Sequence, residues 1–512
     1  MKIHKVTLTN FRGYKNPTTI DFNDLTVFVG RNDIGKSTVL EALDLFFNDG
    51  KGVIKYDDGD VNISSELKEY AIGVSFAELP ENIIVDASFH TNLADEYLLN
   101  EEGNFEIIKK FNGKKCSDTF VRANHPTNEL CANLHNLKRN ELKALIQANS
   151  ISCDNYNANS VMRRAIWNYY IDDLKLSTVD INITDGDDTK KIWATLSRAL
   201  PVYSLFQSDR KNSDKDNEVQ DPLTLAVKQF FQEREIQDTL TEVQLKVEEK
   251  LMEVANRTLA KMRDMDPNIA DHLKTVIPQG INTKWAKVFD GVSLSADDNI
   301  PINKRGSGVK RLILLNFFRA EAERRQETED CTGVIYAIEE PETSQHFANQ
   351  KLLADALIEL SNAPNTQVIL TTHSGVVVKQ LKPSDLRLID DNDEGEKEVN
   401  LIQSGLLGYP SLNEVNYIAF DEATEEYHDE LFGFIESHDG WMTDYESGKP
   451  QRPYIRQYKD GHTEPKQHTL TLYIRDVQHH PENTNNARYT DAELKQSIEE
   501  MRSYIKAKLA NP

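Results

Sequence analysis

The chain has 512 residues, and its 83 Asp and Glu outnumber its 59 Lys and Arg, so the formal charge is −24. Hydrophobic residues make up 39% and charged residues 28% of the chain, a globular composition that excludes wholesale disorder or a fibrous repeat. At roughly 100 to 200 residues per domain, we expect two to four domains. With neither an apolar run near the roughly 20 residues of a membrane span nor a signal peptide, we expect a cytoplasmic protein without a membrane partner.

In chain order, residues 1–90 predict a strand, a buried strand over 25–29, a glycine loop over 30–37 and a helix over 38–47. Residues 91–285 are predicted to form a helical insertion or arm, most clearly over 223–265, where apolar residues recur at helical spacing. The α/β pattern returns over 286–405, so the insertion splits one nucleotide-binding domain. Residues 406–512 are predicted to form a mostly helical C-terminal domain.

The loop over 30–37 reads Gly-Arg-Asn-Asp-Ile-Gly-Lys-Ser, which fits G-x-x-x-x-G-K-[ST] between a buried strand and a helix. Its backbone N–H groups can cradle phosphates, Lys36 can neutralise phosphate oxygens and Ser37 can ligate Mg²⁺. The alternative is a chance glycine turn. The flanking strand and helix favour a site for ATP and Mg²⁺.

Two more motifs follow predicted strands. Glu339 and Glu340 end a strand over 334–338, where Glu339 can hold Mg²⁺ through water and Glu340 can deprotonate the attacking water. His373 follows the next strand and would reach the same sheet edge, although a lone histidine is more often structural. A fourth motif, the glycine loop over 305–310, precedes an amphipathic helix and can present its N-terminus to an anion.

Together these motifs resemble the ABC-type ATPase heads of the SMC, RecF and OLD families. In that resemblance, 30–37 is the Walker A loop, Glu339 and Glu340 end Walker B, His373 is the switch histidine and Ser307 opens the signature loop. The resemblance implies an α/β P-loop head that works as a homodimer or an assembly of dimers, with ATP between Walker A of one subunit and the signature loop of the other. It implies that ATP is bound by Arg12, Gly30, Asn32, Gly35, Lys36, Ser37, Thr38, Ser307 and Gly308, that Mg²⁺ is bound by Ser37 and Glu339, and that Glu340, Lys36 and His373 are catalytic.

The chain departs from the general ABC pattern at several points. Glu339 stands where most ABC proteins carry Asp, which resembles the Glu-Glu-Pro-Glu of the OLD-like branch, and the signature loop is degenerate. No glutamine lid loop can be assigned. OLD nucleases carry a C-terminal Toprim domain with an Asp-x-Asp motif, which residues 406–512 lack. The chain therefore most resembles the stand-alone ATPases of Septu-type anti-phage systems, which implies a separately encoded partner nuclease.

Other interpretations stay open. Arg475 and His480 match the Arg-x-x-x-x-His spacing of HEPN ribonucleases, which would make the chain a single-chain ATPase-ribonuclease, although chance matches to so short a motif are common. Basic pairs within 109–115 and at 138–139 and 163–164 form either a solvated helical face or a groove for a sensed nucleic acid. A RecF-like DNA-repair head is a third interpretation, which the acidic balance disfavours.

Overall fold

In a computed structural model, the structure describes residues 1–79, 91–112, 114–183, 199–207, 333–343, 347–392, 394–402 and 411–510, with isolated positions between 190 and 242 and residues 406 and 407. Apart from four isolated positions between 236 and 242, the helix predicted over 223–265 lies outside the described residues, as do the predicted signature residues Ser307 and Gly308.

The described strands lie in two six-stranded sheets and one two-stranded ribbon. They are β1 (Lys2–Thr9), β2 (Thr18–Asp21), β3 (Leu25–Val29), β4 (Tyr70–Ala77), β5 (Phe105–Phe111), β6 (Cys116–Pro126), β7 (Leu176–Asn182), β8 (Val202–Phe206), β9 (Val334–Glu339), β10 (Thr366–Thr371), β11 (Leu386–Asp391), β12 (Lys397–Leu401), β13 (Gln451–Gln457) and β14 (Thr463–Thr469). The described helices are α1 (Lys36–Asn48), α2 (Arg139–Ala148), α3 (Asn159–Tyr169), α4 (Phe347–Ser361), α5 (Gly375–Val378), α6 (Leu412–Phe420), α7 (Glu425–Glu436), α8 (Trp441–Glu446), α9 (Leu470–His479) and α10 (Asp491–Ala510).

The first sheet has the strand order β12-β11-β3-β10-β9-β8 and is parallel except for β12. Every residue of β3 and β10 is buried, as expected for parallel strands that are covered on both faces. The core on one face includes α1 and the core on the other includes α4. Because these strands are parallel, the carboxyl ends of β3, β9 and β10 meet at one edge.

The second sheet is antiparallel, with the order β2-β1-β4-β5-β6-β7. Its buried face joins the same core as α1, so this helix lies between the two sheets. The prediction of a helical insertion from residue 91 is wrong over 105–126 and 176–182, which form β5, β6 and β7. The alternation of buried and partly exposed residues along β6 has the period of a strand, because its polar residues occupy the outer face. A boundary at residue 90 would therefore cut through this sheet.

The C-terminal domain is built around a core of its own, contributed mainly by α7, α9 and α10. Helix α10 begins with a capping box, since Thr490 and Glu493 exchange side-chain to backbone hydrogen bonds of 3.2 and 2.8 Å. The domain is only partly helical, because the polar stretch after residue 440 forms α8 and the β13–β14 ribbon. None of the described helices combines the length and apolarity that a membrane span requires.

Helix α6 joins the two parts of the molecule. Val415 and Ala419 of α6 pack in the core of the parallel sheet together with Val377 and Val378 of α5. On its other side, Asn413 donates a hydrogen bond of 3.0 Å to a carboxylate of α7. The C-terminal domain is therefore attached next to the end of β10, where the sequence predicts the functional site.

Candidate functional site

The phosphate-binding loop between β3 and α1 is held in a conformation that requires glycine. Gly30 has a φ of 146°, and a Cβ there would lie 2.6 Å from the carbonyl oxygen of Ile389 in β11. Gly35 has a φ of 105° and precedes the first residue of α1, and its carbonyl accepts a 3.1 Å hydrogen bond from the Tyr14 hydroxyl. The loop thus lies close against the sheet and leads directly into a helix N-terminus, where backbone N–H groups are free to bind an anion.

Lys36 is buried at the centre of this loop. Its Nζ donates to the carbonyl oxygens of Gly30, at 3.0 Å, and Arg31, at 2.7 Å. Burial lowers the pKa of Lys36 to about 8, although neighbouring carboxylates, chiefly Glu340 and Asp33, act in the opposite direction. The ammonium is therefore charged at neutral pH, and among the described residues the acceptors of its hydrogen bonds are uncharged carbonyl oxygens, which a phosphate can replace.

Two of the three predicted catalytic residues, Glu340 and His373, meet at the ends of β9 and β10. Glu340 has a left-handed φ of 42°, and its N–H donates to the Thr371 carbonyl at 3.1 Å. Its Oε1 lies 3.0 Å from Nε2 of His373. Burial and the charge of Lys36 lower the pKa of His373, so the imidazole is neutral at pH 7 and can donate to the Glu340 carboxylate. The strained backbone at Glu340 is typical of a functional site.

Lys36, the predicted Mg²⁺ ligands Ser37 and Glu339, and the Glu340–His373 pair share one cleft of about 740 Å³. Its lining consists of Asn32, Asp33, Gly35, Lys36, Ser37, Thr38, Gln207, Glu339, Glu340 and His373. The sequence analysis missed Gln207, which follows the buried strand β8. Its Nε2 donates to Glu41 at 3.3 Å, so its amide oxygen is the atom left to act as a ligand.

The side chains in the cleft fit ATP and Mg²⁺. The hydroxyl of Ser37, the carboxylate of Glu339 and the amide oxygen of Gln207 are the hard oxygen donors that Mg²⁺ prefers. In the described part of the chain, no three His, Cys, Asp or Glu residues cluster closely enough to hold a metal ion. These few protein oxygens suit an Mg²⁺ that keeps waters and shares its coordination with substrate phosphates.

The comparisons with known proteins agree with this geometry. A family model described as an AAA ATPase domain matches residues 1–378. The chain belongs to the AAA ATPase domain family. No curated protein matches the chain.

Among solved structures, this AAA ATPase is similar to a Smc head bound to the C-winged helix domain of ScpA, with 16% identity, a TM-score of 0.36, and coverage of 78% of this chain and 98% of that one. It is also similar to an SMC head domain from Thermotoga maritima, with 11% identity, a TM-score of 0.33, and coverage of 79% and 100%. A third is a Pyrococcus furiosus Smc head with an extended coiled coil, bound to the C-terminal domain of ScpA, with 18% identity, a TM-score of 0.32, and coverage of 78% and 95%. At these TM-scores the similarities add nothing to the family assignment.

Arg12 of the AAA ATPase lies outside the lining of the cleft. Its Nε donates to Asp60 at 2.9 Å and its Nη1 is paired with Glu41. Burial, the largest single cause, lowers the pKa of Arg12, but the charges and hydrogen bonds of these two carboxylates together raise it above its ordinary value. Arg12 stays a predicted ATP ligand, and in this structure its guanidinium is held by Asp60 and Glu41. Arg12 thereby supports Glu41, which in turn holds Gln207.

The two residues of the predicted ribonuclease motif, Arg475 and His480, are each close to an acidic side chain in this structure. Arg475 lies over the ring of Phe432 at 4.3 Å and 3.9 Å from a carboxylate oxygen of Glu436. His480 ends α9 and pairs with Glu482 at 3.3 Å. Each of the two predicted ribonuclease residues thus has its own acidic partner, on a different element.

Two of the basic residues of the predicted insertion, Lys109 and Arg163, are buried and not available to a nucleic acid. Lys109 is buried, and its Nζ lies 2.7 Å from both the Phe46 carbonyl oxygen and the Asp49 carboxylate. Arg163 is buried and donates to Glu96 at 2.7 Å. These cations are used in packing, so nucleic acid cannot reach them without unfolding the region.

Proposed function

We propose that this AAA ATPase binds ATP with Mg²⁺ in the cleft and hydrolyses it to ADP and phosphate. The observation that carries the proposal is the meeting of three chain segments at one sheet edge: the phosphate-binding loop with Lys36 and Ser37, the end of β9 with Glu339 and Glu340, and the end of β10 with His373. Donors for phosphate, ligands for Mg²⁺ and a carboxylate base are the parts that phosphoryl transfer to water needs.

In this proposal each group has a distinct task. The N–H groups at the start of α1 and the Lys36 ammonium bind the β- and γ-phosphates. Ser37 and Glu339 would hold Mg²⁺, and the bound ion would supply positive charge against the phosphate oxygens. Glu340 orients the attacking water and accepts its proton. His373, neutral and already aligned with Glu340, donates toward the γ-phosphate, so its position depends on whether that phosphate is present.

The wider role that we propose is a nucleotide switch. The ATPase heads of two subunits associate when ATP is bound and separate after hydrolysis. Contacts to ATP that exist only in the associated state shift the equilibrium toward that state. Because the chain has a Glu-Glu-Pro-Glu motif and resembles Septu-type ATPases, we propose that the switch acts in bacterial anti-phage defence, where it controls a separately encoded nuclease. The attachment of the C-terminal domain beside His373, through α6, supports a route from the site to a partner.

Steady-state hydrolysis of ATP tests the chemical part of the proposal. The purified chain should release phosphate with Mg²⁺, and Glu340→Gln should abolish turnover while it still binds ATP, because the amide keeps the size of the side chain but accepts no proton. Lys36→Ala should lose both binding and turnover. Normal turnover in Glu340→Gln would contradict the assignment of the base.

Affinity purification from a host that carries the neighbouring genes tests the biological part. The expected result is a co-purifying nuclease, with intact tRNA and plasmid DNA when the AAA ATPase is assayed alone. Cleavage of RNA by the isolated chain, lost in His480→Ala, would instead make the protein its own effector.

A further inference from the structure

The imidazole of His373 is held from two sides. Its Nε2 lies 3.0 Å from a carboxylate oxygen of Glu340. Its ring lies beside the ring of Phe420, with the two ring centroids 6.1 Å apart and the ring planes inclined by 50°. This separation is within the range of about 4.5 to 7 Å over which aromatic rings attract each other. The first contact fixes one nitrogen of the imidazole, and the second restricts the orientation of its ring.

Phe420 comes from a different part of the chain than the residues that line the cleft. The AAA ATPase family model matches residues 1–378, and all residues of the cleft lining lie within that range. Phe420 is the last residue of α6, the helix that joins the parallel sheet to the C-terminal domain. A side chain from beyond the family match therefore contacts a residue of the site.

Helix α6 carries Phe420 on the side of the chain that follows β10. Val415 and Ala419 are buried in the core of the parallel sheet, and Phe420 packs against the same core. Asn416 and Phe420 are one helical turn apart and therefore lie on one face of the helix. Phe420 contacts the ring of His373, and Asn416 lies beside Gly375. This face of α6 thus follows the loop that carries the histidine.

The chain directly after His373 packs closely against α6. The Ser374 hydroxyl caps α5, because it accepts a hydrogen bond of 3.3 Å from the Val377 N–H. A Cβ at Gly375, the first residue of α5, would lie 2.8 Å from Nδ2 of Asn416. Asn416 is 2% exposed, so its amide has little freedom to move aside. The loop is therefore in tight contact with α6 and has no room to shift toward it.

The opposite side of α6 is fixed by the C-terminal domain. Arg502 of α10 donates a hydrogen bond of 2.9 Å to the buried carboxylate of Glu414. The ring of Tyr417 lies 5.4 Å from that of Tyr427 in α7. A displacement of α7 and α10 therefore acts directly on the helix that carries Phe420.

We propose that Phe420 is a positioning residue for His373, whose ring it holds in the orientation in which Nε2 meets Glu340. The C-terminal domain thereby contributes a side chain to the ATPase site, and the rate of hydrolysis depends on this domain. The proposal rests on the hydrolysis proposed above, in which His373 donates toward the γ-phosphate.

Steady-state ATP hydrolysis by variants of the full chain tests the role of the ring. Phe420→Leu keeps an apolar side chain against the core but removes the ring. It should lower kcat about 10-fold and leave KM for ATP nearly unchanged, because a misplaced group acts on the transition state more than on binding. Phe420→Tyr keeps the ring and should retain most of kcat.

The matched control is Phe434→Leu in α7. Phe434 forms a ring pair of the same kind with His438, at 4.7 Å and an inclination of 49°. Neither residue belongs to the lining of the cleft. Phe434→Leu should therefore leave both kcat and KM unchanged.

Nuclear magnetic resonance of the nucleotide-free chain, with labelled histidine rings, tests the contact independently of turnover. The signal of His373 is identified by its loss in His373→Gln. Phe420→Leu should shift this signal, because an aromatic ring changes the magnetic field at neighbouring nuclei. Phe434→Leu should leave the signal in place.

Unchanged kcat in Phe420→Leu would overturn the proposal, as would an equal loss in Phe420→Leu and Phe420→Tyr. A His373 signal that Phe420→Leu leaves in place would overturn it as well. Absence of turnover in the unmodified chain would contradict the proposed hydrolysis, and the shift of the His373 signal then decides whether Phe420 orients the imidazole. A melting curve for each variant confirms that the chain is folded.

Discussion

The carboxylate of Glu342 accepts hydrogen bonds from the backbone N–H of His373 and from the hydroxyl of Thr372, both at 2.8 Å. Glu342 follows β9 and His373 follows β10, so one side chain ties together the two loops that carry the proposed base and the histidine. Glu342 is buried, its Oε2 has no hydrogen-bond partner within the described structure, and burial raises its pKa. Glu342 is a positioning residue, since it acts on the backbone of His373.

Two substitutions of Glu342 test whether its hydrogen-bond acceptor or its charge is needed to position His373. Glu342→Gln keeps an acceptor oxygen and should retain most ATP turnover, whereas Glu342→Ala frees the His373 loop and should lower kcat by about 10- to 100-fold with KM nearly unchanged. Steady-state kinetics measure both parameters, and Glu359→Ala, on the exposed side of α4, is the control. Equal loss in the two Glu342 variants would show that the charge, and not the acceptor, is what matters.

The lowered pKa of Lys36 predicts that ATP binding takes up a proton at alkaline pH. Burial holds this pKa at about 8, so most Lys36 side chains are neutral at pH 9, and a bound phosphate would restore the charge. We expect proton uptake to rise from about 0.2 protons per ATP at pH 7.5 toward one at pH 9. Calorimetry in buffers of different ionisation enthalpy measures it. Proton uptake that does not change over this range would contradict the assignment to Lys36.

Two neighbouring ion pairs predict very different effects on stability. Glu96 is buried with Arg163 and His135, while Asp95 forms an exposed pair with Arg164. Removing one partner of a buried pair leaves an unpaired charge, so Glu96→Gln should lower the free energy of unfolding by about 3 to 5 kcal/mol. Asp95→Asn, the matched control, should cost about 0.2 to 1 kcal/mol. Denaturant unfolding measures both.

The same buried ion pair predicts how the free energy of unfolding depends on pH. Opposed by burial, the hydrogen bonds and charges of His135 and Arg163 lower the pKa of Glu96 from its ordinary 4.5 to about 2. A lowered carboxyl pKa stabilises the fold fully above pH 4.5, and this contribution is lost as pH falls toward 2. The Glu96→Gln variant should therefore lose less stability than the unmodified chain between pH 4.5 and 2. An identical loss in both proteins would place the acid-sensitive groups elsewhere.

Gly30→Ala should disrupt the phosphate-binding loop. Its φ of 146° and the Ile389 carbonyl oxygen 2.6 Å from the added Cβ leave no room for a side chain, so we expect a loss of about 1 to 3 kcal/mol in stability and of ATP binding. The control is Gly433→Ala in α7, where nothing lies within 4 Å of the added carbon. That change should stabilise the protein by up to about 1 kcal/mol. Unimpaired ATP binding by Gly30→Ala would mean that the loop can relax.

The parallel sheet and its site were predictable because their signals are local. A buried strand, a glycine loop and a helix follow one another over residues 25–48, and the carboxylates and His373 each follow an apolar strand. Gln207 gave no such signal, since it is more than a hundred residues away from both Glu41 and Glu339 in the sequence, and the pairing of β8 with β9 brings it to the cleft. The role of Glu342 depends likewise on a contact between two loops.

The antiparallel sheet and the ribbon were missed for another reason. In β5 and β6 most of the outward residues are polar or charged, so the composition resembles that of an exposed helix although the period is that of a strand. In the β13–β14 ribbon, Pro453 and Pro465 favour a loop over a strand in the sequence. Both nevertheless lie in its strands, because a two-stranded ribbon consists of edge strands, in which a residue without a backbone N–H is tolerated.

The strand order of the parallel sheet determines when the phosphate-binding loop can fold during synthesis on the ribosome. Strand β3, which leads into the phosphate-binding loop, pairs with β10 and β11, and Gly30 packs on Ile389. At about 5 to 20 residues per second, these partners are synthesised roughly 20 to 70 seconds after the loop itself. A nascent chain therefore carries a complete nucleotide-binding motif with no sheet to support it. Nucleotide binding should begin only when most of the polypeptide has been translated, which protects the cell from truncated chains that respond to ATP.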